Sequence, residues 1–160
     1  MKITVLGAGT MGIQLSVLFA SKGFDVILWN YRNKEALPNS IKRVIVIQSK
    51  LGFIERENID KILSRIVTTT NLRKASNTCV IIESITERLE LKRELINKIN
   101  IYTKKDTVII TNTSSLSVTE IASFYKNPKM VVGMHFFNPP FTCSFVEIIS
   151  GRYTSEFSLD

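Results

Sequence analysis

The sequence predicts an α/β protein with a mostly parallel, doubly wound sheet. Three observations lead there. A β-prone run, Lys2–Leu6, passes through Gly7, Gly9 and Gly12 into an apolar helical stretch from Met11 to Phe19. Strand-like and helix-like segments then alternate along the rest of the chain. The 160 residues suffice for one domain with a sizeable core, and the 44% hydrophobic content is ordinary for a globular protein.

The glycines carry the most specific signal. Their G-x-G-x-x-G spacing lies between a strand and a helix, where a dinucleotide site of the Rossmann type needs it. Gly7 permits the tight turn. Gly9 has no side chain to keep a pyrophosphate from the backbone, and Gly12 lets helix and strand pack closely. The free N–H groups of the helix N-terminus then face an anion, helped by the helix dipole. Gly7, Gly9, Thr10, Met11 and Gly12 are therefore candidate cofactor-binding residues. The alternative is an ordinary glycine turn.

The elements follow in order. The first helix runs to about Ser21, with Gly23 just past its end. Phe24–Trp29 is a second strand ending at Asn30. A Rossmann fold usually places an acidic residue there to bind the ribose hydroxyls. Asn30 still bonds a hydroxyl but does not repel a 2′-phosphate, and Arg32 is able to pair with one. The alternative is an Asn30 that braces a turn beside a solvated Arg32. Residues 31–65 are helical in pattern, restarting at Pro38 and broken at Gly52, with a second helix over Glu55–Leu63. Ile66–Thr70 is a short strand and Leu72–Ser76 a connector. Thr78–Ile82 is a buried strand with Glu83 and Glu87 at its carboxyl end. Arg88–Ile101 is an amphipathic helix with Leu91, Leu95 and Ile99 on one stripe. Asp106–Ile110 is a strand, and Ser117–Tyr125 a helix with Ser117 and Glu120 in capping-box spacing. Met130–Met134 ends at His135, and Phe145–Ile149 is the last strand. Residues 1–150 are read as a dinucleotide-binding domain and 151–160 as a truncated tail or linker.

Composition excludes several classes. The net charge of +7 comes from basic residues scattered along the chain, without the basic-aromatic interleaving of a nucleic-acid groove. It favours anionic cofactors and acyl carriers. No apolar run approaches the roughly 20 residues of a membrane span, and Met1-Lys2-Ile3 leads directly into a strand rather than a signal peptide. The two cysteines, Cys79 and Cys143, have no metal-ligand spacing, so no metal site is expected. Cys79 falls in a strand and is expected in the core. A reducing cytoplasm fits this usage.

Three residues carry the chemistry. His135 is the single histidine, set at a strand end before Phe136-Phe137 and Asn138-Pro139-Pro140. Glu147 lies in an otherwise apolar strand, where a buried carboxylate needs a partner. Their separation of twelve in sequence number is enough for adjacent strands to bring the two together. Ser114 lies on a polar turn after another strand. A His–Glu pair and a hydroxyl beside a dinucleotide suit a dehydrogenase, in which imidazole takes a hydroxyl proton as hydride leaves the same carbon. Singly, each has a plainer reading: Ser114 as a cap, His135 as a strand-end residue, Glu147 as a solvated edge residue.

VLGAGTMG at Val5–Gly12, IIESITERLELKREL at Ile81–Leu95, NTSSLSVTEIA at Asn112–Ala122, GMHFFNPP at Gly133–Pro140 and FVEII at Phe145–Ile149 occur in this order. Together they resemble the N-terminal NAD-binding domain of the L-3-hydroxyacyl-CoA dehydrogenase family, notably its bacterial 3-hydroxybutyryl-CoA dehydrogenases. The resemblance implies reversible oxidation of an (S)-3-hydroxyacyl thioester, an activity of fatty acid metabolism. It implies His135 as general base, Glu147 as its orienting partner, and Ser114 at the substrate oxygen near the nicotinamide. Asn138 would contact cofactor or substrate, and Glu87 and Lys92 would lie against the nicotinamide half.

Three segments depart from the family pattern. Asn30 replaces the acidic residue, which admits NADP beside NAD. The helix that helps hold coenzyme A reads RVIVIQSK, leaving Lys50 as its phosphate contact and admitting an acyl-carrier-protein thioester beside acyl-CoA. Phe141-Thr142-Cys143-Ser144 replaces a Pro-Val-Met-like stretch at the acyl pocket. Family members also continue into a helical C-terminal domain that dimerises and closes the cleft. It is absent from this sequence, so poor activity of the isolated chain is expected, and a non-catalytic dinucleotide-binding module is the alternative.

Overall fold

The fold is known from a computed structural model, which describes residues 1–32 and 35–159. Strand β1 (Lys2–Leu6) leads to helix α1 (Thr10–Ser21), then β2 (Asp25–Trp29), α2 (Leu37–Lys50), α3 (Ile59–Ser64) and β3 (Ile66–Thr69). The chain continues through α4 (Leu72–Ala75), β4 (Val80–Glu83), α5 (Leu89–Ile99), β5 (Val108–Thr111), α6 (Val118–Ser123), β6 (Val131–Phe136) and β7 (Val146–Ile149). The strands form one seven-stranded sheet in the order β3-β2-β1-β4-β5-β6-β7. Every neighbouring pair is parallel except β6 and β7, which run antiparallel. The strand order reverses between β1 and β4, and a crevice outside the carboxyl ends of such strands is where open α/β sheets bind ligands.

Both sheet faces are covered, so the strands read as continuous apolar runs while their side chains alternate. Val5, Val26, Leu28, Ile82 and Val132 join one core layer with Leu15, Ile41 and Ile45. Leu6, Ile27, Ile81, Ile109 and Val131 join the other with Leu95, Ile99 and Ile121. The expected doubly wound, mostly parallel architecture is therefore the observed one. Helix α1 ends as expected, with Gly23 at φ +93° just beyond it. Ser117 caps α6, its Oγ accepting the Glu120 N–H at 3.3 Å.

Several local expectations need correction. Of the helical pattern expected over 31–65, positions 33 and 34 lie outside the described residues, and the helix starts at Leu37. The second helix there is a 3₁₀ turn over Arg56–Asn58 followed by α3. The connector at Leu72 is a short helix, because Asn71 Oδ1 accepts the Lys74 N–H and caps it. Cys79 is exposed rather than in the core: β4 begins only at Val80, leaving the cysteine in the preceding turn. The buried face of α5 includes Lys92 beside Leu95, Ile96 and Ile99. Residues 151–159 fold back on the domain, with the Thr154 hydroxyl donating to Val131 O at 2.7 Å and the Ser155 N–H to Lys129 O at 3.0 Å. Among the described residues, no helix is long and apolar enough to cross a membrane.

Candidate active site

The glycine turn sits at the reversal point. Gly7 has φ +108°, donates its N–H to Trp29 O at 2.9 Å, and would place a Cβ 2.5 Å from Ser84 O. A Cβ on Gly12 would lie 1.7 Å from Gly7 O, so only glycine lets α1 approach the turn this closely. Gly9 differs. A Cβ there meets nothing within 4 Å, so the missing side chain leaves open space rather than relieving a protein contact. Gly9 is the N-cap of α1, has no side-chain cap, and precedes a first turn without acidic residues. The first-turn N–H groups of Thr10, Met11 and Gly12 have no acceptor within the helix. This cradle fits a pyrophosphate.

At the end of β2, the Asn30 N–H donates to Thr69 O at 3.1 Å, and its side-chain amide donates to Arg32 O. The residue braces a turn. Arg32 and Tyr31 are exposed, with the guanidinium carbon 5.9 Å from the ring centroid. Lys50 is exposed at the end of α2.

The hairpin of β6 and β7 builds the chemical pair. Its register sets His135 directly opposite Glu147, and Nδ1 lies 2.7 Å from Glu147 Oε2. An ionised carboxylate only accepts, so Nδ1 carries the proton and Nε2 is left as an acceptor. The expected pairing forms, but Glu147 is not buried. Its side chain is 45% exposed and that of His135 20%, because β7 is the edge strand and, among the described residues, no further strand pairs with it. His135 is the penultimate residue of β6, at the strand end where the sequence placed it. Phe137 packs 4.7 Å from the imidazole, centroid to centroid, with Phe145 5.8 Å behind it.

Ser114 stands on the loop after β5, which side chains tie to both neighbours. Asn112 Oδ1 accepts the Phe136 N–H at 3.0 Å and its Nδ2 donates to Ser84 Oγ at 3.4 Å; on the separate loop after β6, Asn138 Oδ1 accepts from Gln14 Nε2 of α1 at 2.9 Å. The hydrogen-bond partner of Ser114 is Glu87, not His135. Glu87 Oε1 accepts the Ser114 N–H at 2.8 Å, the Ser115 N–H at 3.1 Å and the Thr113 hydroxyl. Partial burial would raise the Glu87 carboxyl, but the Thr113 hydroxyl, the Ser114 N–H, the Lys92 charge and the Ser115 N–H outweigh it and hold the pKa at about 2. A groove of about 300 Å³ beside the loop is lined by Ser114, Ser115, Thr119, Ile149 and Ser150.

Lys92, expected against the cofactor, is instead buried. Its ammonium lies 2.8 Å from both oxygens of Glu83 and 3.3 Å from Glu87 Oε2. Glu87 is the member of this cluster open to solvent. Sequence reasoning assigned Glu83 no role and did not find Gln14. A lysine on the apolar face of α5, in register with Leu95, Ile96 and Ile99, was the available signal for Glu83, since a buried ammonium demands a carboxylate.

A glycine cradle at the strand-order reversal, with a histidine–carboxylate pair at the same end of the sheet, defines a dinucleotide-binding domain of the Rossmann type. The chain belongs to the family described as 3-hydroxyacyl-CoA dehydrogenase, NAD binding domain, which matches residues 2–160. It is 39% identical over its whole length to 3-hydroxybutyryl-CoA dehydrogenase of Clostridioides difficile, covering 58% of that protein. It is 35% identical over 96% of its length to 3-hydroxyadipyl-CoA dehydrogenase of Escherichia coli K12, covering 33% of that one. The crystal structure of 3-hydroxybutyryl-CoA dehydrogenase from Escherichia coli K12 superposes with a TM-score of 0.92 at 31% identity, over 99% of this chain and 34% of that chain. The chain thus spans little more than half of the first of these relatives and about a third of the other two.

Proposed function

We propose that the chain is the cofactor-binding part of a dehydrogenase that oxidises an (S)-3-hydroxyacyl thioester to the 3-oxoacyl thioester, with NAD as hydride acceptor and acyl-CoA as substrate. Residues 1–150 form the dinucleotide-binding unit. The observation that carries the reading is the His135–Glu147 pair at 2.7 Å, at the same end of the sheet as an open glycine cradle. Glu147 fixes the imidazole with Nε2 as acceptor, and Nε2 takes the proton of the substrate hydroxyl. The carboxylate then stabilises the imidazolium that forms. Ser114 donates its hydroxyl to the substrate oxygen, and Asn138 and Lys50 bind cofactor or substrate. When bound, the nicotinamide supplies the hydride acceptor.

The glycine turn, Thr10 and Met11 hold the pyrophosphate, and Glu87 lies on the nicotinamide side, with Lys92 acting through it. Asn30 accepts a ribose hydroxyl without repelling a 2′-phosphate, which admits NADP with Arg32 as its partner.

The decisive experiment measures cofactor affinity by calorimetry and reduced-nicotinamide formation with (S)-3-hydroxybutyryl thioesters of coenzyme A and of acyl carrier protein. Gly9→Val should abolish cofactor binding while the circular dichroism spectrum stays native, because the side chain fills the cradle. Turnover of the coenzyme A thioester that disappears in His135→Gln supports the reading. Turnover of the acyl-carrier-protein thioester alone would reassign the substrate. Unchanged cofactor affinity in Gly9→Val, or unchanged turnover in His135→Gln, would overturn it. The 160 residues assayed alone should bind cofactor yet turn over slowly, since they span little more than half the length of the first of these relatives.

A further inference from the structure

A buried charge cluster lies beneath the Ser114 loop. Glu83 ends β4 and Lys92 lies on the inner face of α5; each side chain is 1% exposed. The ammonium of Lys92 donates to Glu83 Oε1 and Oε2, both at 2.8 Å. Glu83 is held in turn by the Ile85 N–H at 2.8 Å and by the Thr111 hydroxyl, at the end of β5, at 2.8 Å. The ammonium also faces Glu87 Oε2 at 3.3 Å. The other oxygen of Glu87 collects the backbone N–H groups of Ser114 and Ser115. One continuous chain of charge-assisted contacts therefore runs from β5 through Glu83, Lys92 and Glu87 to the loop.

A buried ion pair is a poor device for stability alone, because apolar residues of similar volume commonly do as well. What it supplies is a fixed direction. Three groups share a net charge of one negative unit, and the surplus sits on Glu87, whose carboxylate is anchored on one oxygen and free to organise a loop with the other.

We infer that Glu83 is a positioning residue, which acts through Lys92 and Glu87 to hold the segment Thr113-Ser114-Ser115 in one conformation and so to aim the Ser114 hydroxyl. The consequence for catalysis rests on the proposed role of Ser114; the holding of the loop does not.

The test is amide hydrogen exchange on the whole chain, read residue by residue by NMR. Glu83→Gln/Lys92→Met removes both buried charges together, so neither is left as an unpaired buried charge. Exchange at the Ser114 and Ser115 amides should rise about tenfold or more, while amides of β5 and β6 exchange as before. Thr111→Val, a near-isosteric change that removes one hydrogen bond to Glu83, should raise the same two amides by about twofold to fivefold. It keeps the test readable should the double variant not fold. Wild-type protection of Ser114 and Ser115 in either folded variant would overturn the inference. So would a rise shared equally by β5 and β6, which would make the cluster a general support. A Ser114 without catalytic importance would instead appear as unchanged turnover in Ser114→Ala, with the exchange result intact.

Discussion

The molecule contains two pairs of a carboxylate with a side-chain nitrogen, of nearly equal length and opposite surroundings. Glu83 and Lys92 meet at 2.8 Å with each side chain 1% exposed. His135 and Glu147 meet at 2.7 Å with side chains 20% and 45% exposed. The first is sealed between the sheet and α5, where charges must stay paired and hydrogen-bonded. The second lies on the edge strand of the sheet, where losing a partner costs little and water has access. Solvation, not distance, divides them: the sealed pair is locked within the fold and the open pair faces water.

The largest difference should appear in stability. Lys92→Ala strands Glu83 in the interior and should cost about 3–5 kcal/mol, whereas Glu147→Ala at the edge should cost less than about 1 kcal/mol. Urea unfolding of both variants checks this, and equal losses would erase the distinction. In turnover the order reverses within the open pair. His135→Gln, in a protein carrying the rest of the cleft, should lose on the order of 10²–10⁴-fold with cofactor affinity nearly unchanged. Glu147→Gln should lose less, because the imidazole survives with a weaker orienting partner.

Acid sharpens the comparison through Glu87, which bridges the sealed cluster and the loop. Its carboxyl is held at about 2 against an ordinary 4.5, so it adds stability that is complete above about pH 4.5 and fades as pH falls toward 2. Glu87→Gln should therefore be less stable than the parent at pH 7, and the gap should narrow through that window. A gap that widens on acidification would reverse the sign. The smallest effect is expected at the adenosine end: Arg32→Ala should weaken NADP by several-fold, as loss of one exposed phosphate partner does, and leave NAD unchanged. Equal weakening of both cofactors would remove Arg32 from phosphate recognition.

Much of this was legible because its causes are local. The glycine spacing, the switch from strand to helical periodicity, the glycine after α1 and the Ser117 cap each depend on residues a few positions apart. His135 and Glu147 were paired in advance because a carboxylate in an apolar strand needs a partner and their separation lets adjacent strands bring them together. Burial was harder to read. An apolar strand sequence does not say whether it lies inside the sheet or at its edge, so Glu147 was expected inside and is half exposed, and Cys79 was expected in the core and lies in a turn.

What the sequence by itself determined is the chain's architecture and the identity of its candidate chemical groups, since hydrophobic period and backbone sterics are properties of neighbouring residues. What only the tertiary structure decided is which groups meet in the buried cluster. Glu83 and Lys92 come from a strand and a helix, Thr111 from the next strand and Ser114 from its loop. Their contact depends on the packing of α5 against the sheet and on the parallel register of β4 with β5. Nothing in the local sequence around any of them specifies the partner, because electrostatic pairing is set by distance and dielectric in three dimensions rather than by position along the chain.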